Sequence, residues 1–146
     1  IIYTICAMAN IGPDTEGYIY IGVADKESDS ERIKTLDGIE PIKISNHFVV
    51  GVDREAKLLG VSVENYCRKV LSIIQESKLS EDLKISVLSK IDIIDYKGLT
   101  IIRICVPKQN ELSYCGDDVY IRQYNNTIKL ETAKEILAVN MTFLKR

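Results

Sequence analysis

Histidine is almost absent from this chain, His47 being the only one. A Ser-His-Asp arrangement would have to be built on it, and no serine stands in the Gly-x-Ser-x-Gly setting of a nucleophile elbow. Cys6, Cys67, Cys105 and Cys115 show no Cys-x-x-Cys spacing, which with a single histidine argues against a closed zinc site. They read instead as reduced thiols used as small buried side chains. A Gly-x-x-x-x-Gly-Lys-Ser/Thr loop is also missing, so no nucleotide cofactor of the Walker kind is expected. No apolar run approaches the roughly 18 residues that span a bilayer. The opening "IIYTICAMAN" lacks the basic start and cleavage site of a signal peptide. These absences lead us to expect no membrane contact and a cytoplasmic location. There is neither an internal repeat nor a low-complexity segment.

What is present fits one globular domain: 146 residues, 46% hydrophobic and 27% charged. The net charge of −2 argues against coating nucleic acid by bulk electrostatics, but leaves room for a local basic groove. The chain begins without methionine inside an apolar pattern. We therefore expect residues 1–146 to be a single domain cut from a longer chain.

Along the chain, Ile2, Ile5, Cys6 and Ala9 form one stripe of a helix over 2–10, broken by Asn10, Gly12 and Pro13. Residues 17–23 are apolar throughout the centre and read as a strand buried on both faces. The polar stretch 24–47 reads as a surface excursion or lid, and "FVVGV" at 48–52 as a short strand. Ser62 stands where it would cap a helix carrying Val63, Tyr66, Cys67, Val70, Leu71 and Ile74. Residues 84–95 and 99–106 are β-branched runs joined by Tyr96-Lys97-Gly98, a hairpin signal. A strand is expected over 118–124, and a last helix from Thr132 with a capping box to Glu135. Its buried face is expected at Ile136, Leu137, Met141 and Leu144. The fold class is α+β, a mixed sheet of about five strands with helices packed on it.

Few side chains point to chemistry. Asp25 follows the apolar strand, where a carboxylate is held by rigid backbone yet meets solvent. It reads either as a solvated loop acid or as a hard oxygen ligand for Mg²⁺ or Mn²⁺. Arg122 lies in "YIRQYNNT" and could fork onto a phosphate, cap a helix or pair with an acid. Arg54, Lys57, Arg68 and Lys69 form a second basic group, or an ordinary helix surface. Gly17 and Gly22, flanking the strand, serve tight turns and close packing more readily than phosphate.

The order of these motifs resembles the Schlafen-type AlbA-like domain of larger bacterial proteins. "AMAN" stands for the family's Ala-Phe-Ala-Asn, "EGYIYIGVAD" for its apolar strand ending in Gly-Val-Asp-Asp, and "VYIR" for its penultimate strand. The resemblance covers essentially the whole chain. It implies binding of RNA or DNA and, in the intact parent, metal-dependent endonuclease activity with Mg or Mn. Asp25 matches the second acid of Gly-Val-Asp-Asp and is implied as a catalytic metal ligand. Asn10 matches the asparagine of Ala-Asn, and Arg122 the arginine of the penultimate strand. Both are taken with Arg54 and Lys57 as nucleic-acid contacts. The family's other two carboxylates belong to an upstream strand, and nothing precedes Ile1 here. The Gly-Gly pair is stretched into "IGPDTEGY", and 26–47 is longer than the usual turn. A non-catalytic assembly or regulatory module is the alternative. Because the family grips RNA between two lobes and this chain holds one, a homo-oligomer or further parent domains are expected.

Overall fold

A computed structural model describes residues 1–24, 42–44 and 47–145. Two compact units divide the chain. The first comprises Ile1–Tyr18, Leu71–Lys90 and Cys105–Arg146, the second Ile19–Val70 and Ile91–Ile104. Helices and largely antiparallel strands share the chain, so the class is α+β.

The first unit is built on α1 (Ile2–Ala9), α4 (Glu81–Leu88), α5 (Ala133–Leu144) and a hairpin of β7 (Tyr120–Gln123) and β8 (Asn126–Lys129). Ile5, Cys6, Ala7 and Ala9 of α1 are buried, the helix packing on β7 and β8. Beyond the hairpin, Leu112, Val119, Leu130 and Phe143 form a core, with Ile121, Ile136 and Val139 against it. The capping box of α5 is formed, Thr132 Oγ1 accepting from Glu135 N while Glu135 Oε1 accepts from Thr132 N.

The second unit holds a sheet ordered β2 (Val23–Ala24), β4 (His47–Val49), β3 (Ile42–Ile44). It also holds most of a sheet ordered β1 (Gly17–Ile21), β6 (Leu99–Val106), β5 (Ile91–Tyr96). Helices α2 (Asp53–Leu58) and α3 (Val63–Gln75) follow β4, the last turn of α3 being counted with the first unit. Ser62 accepts from Asn65 N, the expected cap. The β5–β6 hairpin turns through Lys97 and Gly98, at φ 51° and 85°. Both central residues are left-handed, as a type I′ turn requires, and Gly98 N donates to Asp95 Oδ1 at 2.9 Å.

Three expectations are corrected. Residues 84–88 belong to a helix, not a strand: Glu81 and Asp82 occupy its first turn, while Leu83 and Val87 are buried one turn apart. Burial at that spacing outweighs the β-branched content. The strand after Gly17 is not buried on both faces. Gly17, Ile19 and Ile21 are half-buried, Tyr18 and Tyr20 are exposed, and β1 ends its sheet's order. Tyrosine favours strands whether or not it is covered. Among the described residues the strands fall into sheets of three, three and two, within the expected α+β class. Finally, Leu137, Met141 and Leu144 of α5 are exposed, and Ile136, Val139 and Phe143 turn inward.

Candidate nucleic-acid interface

In the second unit three backbone segments converge where β1 ends. Gly22 O accepts from both Val50 N and Gly51 N at 2.9 Å, and Val52 N donates to Thr100 O at 2.9 Å. Gly22 has φ +101°, and a Cβ there would stand 3.1 Å from both the Gly51 carbonyl carbon and Thr100 O. Only glycine admits that approach. Asp53 completes the knot, its carboxylate accepting from Thr100 N at 2.8 Å and from Thr100 Oγ1 at 2.9 Å. This clamp was missed in the sequence because its partners lie 47 residues apart. The repeated Gly-Val at 22–23 and 51–52 was the available signal. Asp25, two residues beyond the described Val23, lies outside the described residues, as do most of the 24–47 excursion.

On α2, Arg54 and Lys57 are one turn apart. The Arg54 side chain is only 20% exposed and pairs with Glu55 at 3.2 Å, whereas Lys57 is exposed. Glu55 also accepts from the Tyr66 hydroxyl. Burial first, then that bond to a carboxylate, pushes the Tyr66 phenol up to about 12. Arg68 pairs with Glu64 along the exposed face of α3, an ordinary surface pair worth little.

In the first unit Asn10 is 3% exposed. Its Nδ2 donates to Ser113 O at 3.0 Å and Tyr120 O at 2.9 Å, and its Oδ1 accepts from Ser113 N at 2.8 Å. As the protein stands, that amide is spent on tying α1 to the chain before β7. Arg122 is half-buried, and its Nη1 donates to Thr127 Oγ1 at 2.8 Å across the hairpin. Thr127 in turn shares a 3.2 Å hydrogen bond with Thr4. Tyr3 stacks on Tyr120, ring centres 4.4 Å apart.

The family model described as "Schlafen, AlbA_2" matches residues 1–131. The chain belongs to the Schlafen AlbA_2 family. No curated protein and no solved structure matches it. Membership points to a nucleic-acid-related function. In this Schlafen AlbA_2 chain, Arg54 and Lys57 stand together in one unit, and Asn10 and Arg122 both bond to the β7–β8 hairpin in the other. Among the described residues no three His, Cys, Asp or Glu side chains gather to hold a metal ion, and no helix is long and apolar enough to cross a membrane. All four cysteines are buried thiols, outside any disulfide. Burial pushes the Cys6 thiol up to about 12.

Proposed function

We propose that this domain binds RNA or DNA by its backbone phosphates, with Arg122 as the main contact and Arg54 with Lys57 as a second group. The observation that carries this reading is the state of Arg122. One guanidinium nitrogen is anchored on Thr127, and among the described residues no carboxylate pairs with it. Of the five N–H donors of an arginine, the rest keep a fixed fork suited to phosphate. Family membership supports nucleic acid as the source of that phosphate. Anchoring removes side-chain entropy before binding, so the contact costs less to form. With a net charge of −2, affinity comes from such local groups. Arg122→Ala is expected to weaken binding and to lower the log–log salt slope by about one. Fluorescence anisotropy over a salt series checks this, and an unaltered slope would assign the arginine to the fold alone.

Metal-dependent cleavage in the intact parent, with Mg²⁺ or Mn²⁺ on Asp25, is the finer part of the proposal and rests on the sequence motif. The described residues alone do not make a metal site, so no catalytic step is derived. In the full-length protein, Asp25→Ala should abolish RNA cleavage at an unchanged melting temperature. A folded variant that still cuts removes Asp25 from the site. A two-fold homodimer would set two such basic groups together. Light scattering at micromolar concentration tests it, and a strict monomer in both domain and parent would exclude it.

A further inference from the structure

The β7–β8 hairpin closes through Tyr124 and Asn125, because Gln123 pairs with Asn126. Tyr124 has φ +54°, whereas Asn125 is outside the left-handed region. A two-residue turn with only its first residue at positive φ is the type II′ pattern, and it places glycine there. A side chain with a Cβ is strained at that position. The fold offers the ring nothing in return. Tyr124 is fully exposed, and among the described residues no hydrogen bond or ring contact engages its side chain.

The arm beneath the tip is braced. Asn10 holds Tyr120 O, Tyr3 covers the Tyr120 ring, Thr4 and Arg122 both bond Thr127, and Leu130 N donates to Val119 O. An exposed aromatic on a rigid arm is presented at a fixed place rather than swept through solvent. Arg122 is two residues away, about 7 Å along an extended chain, which matches the reach from a base to its own phosphate. The anchored cation and the bare ring are thus carried on one braced hairpin, two residues apart in the chain.

We propose that Tyr124 stacks on an unpaired base, so that the domain selects single-stranded or locally melted nucleic acid over duplex. This rests on the phosphate reading of Arg122. A single strand exposes the flat faces of its bases to an aromatic ring, while a duplex keeps them in its own stack.

The test uses this chain, a short mixed-sequence single-stranded RNA bearing one 2-aminopurine, and the corresponding blunt duplex. The wild-type protein should bind the single strand more tightly and change the 2-aminopurine emission. Tyr124→Gly, which suits the turn, should bind the single strand roughly 5- to 150-fold more weakly. It should keep duplex affinity and salt slope, and melt at the same or a higher temperature. Tyr124→Trp should retain binding. Single-strand binding by Tyr124→Gly at the wild-type level overturns the stacking role but leaves the Arg122 contact standing. Equal weakening toward both RNAs with a lowered melting temperature also overturns it, since the ring would then serve the fold. Wild-type protein that binds neither RNA overturns both readings.

Discussion

Asn10 does with one side chain what usually takes several. Its amide answers the N–H and C=O of Ser113 and the C=O of Tyr120 in a place closed to water. Removing it strands those groups, and an unsatisfied buried polar group costs about 1–3 kcal/mol. Asn10→Ala is therefore expected to destabilise the protein by at least about 2 kcal/mol in urea unfolding. Asn10→Asp should do no better, because a carboxylate can accept from Ser113 N but faces two carbonyl oxygens it cannot donate to. A variant within 0.5 kcal/mol or so of the wild type would show that water replaces the amide. The residue was legible in the sequence as part of "AMAN", but its partners were not, since they lie more than 100 residues away. Tyr124 left no pattern at all. A lone exposed aromatic between strands has no periodicity, and the one available sign was the want of glycine in so short a turn.

Among the elements, two of the left-handed glycines of the second unit differ in what surrounds them. Gly22 and Gly98 both have positive φ, but a Cβ on Gly98 meets nothing within 4 Å, whereas one on Gly22 meets backbone at 3.1 Å. Gly98→Ala should cost about 1 kcal/mol, from the left-handed conformation alone. Gly22→Ala should cost at least about 2 kcal/mol more, because backbone atoms cannot yield as a side-chain end does. Urea unfolding of the two variants decides it; equal costs would mean that the knot relaxes freely. Elements whose signals are local were readable. The cap at Ser62, the box at Thr132 and the Lys97-Gly98 turn are written within four residues each. What failed depended on distant partners. The inward side of α5 is chosen by Leu112, Val119 and Leu130, and the helix at 81–88 by the burial of Leu83 and Val87. The short β8 (Asn126–Lys129) falls between the strand expected to Tyr124 and the helix expected from Thr132, and its four residues carry no alternation of their own.

At the scale of the whole molecule, burial raises titratable groups of both units in the same sense. Cys6 and Tyr66 are each pushed up to about 12, from ordinary values of 9.0 and 10.0. The folded state then holds protons that the unfolded chain has already released. Stability from these groups is full below pH about 9 and is lost as pH rises toward 12. The melting temperature should accordingly stay level from pH 7 to about 9 and fall beyond it. Tyr66→Phe should flatten part of that fall. A melting temperature unchanged up to pH about 11 would show that the folded groups titrate normally.

The placing of the cysteines has a consequence for kinetics. Every thiol is buried, and a thiol that stays protonated and covered reacts with an alkylating agent only after the structure around it opens. Cys67 sits in one compact unit, and Cys6, Cys105 and Cys115 in the other. Nature has thus supplied each unit with its own clock. In a pulse of iodoacetamide read by peptide mass, a single labelling time for all four would mark one cooperative opening. Two times, one for Cys67 and one for the remaining three, would mean that the half bearing Gly22 and the half bearing Tyr124 can be lost and regained separately.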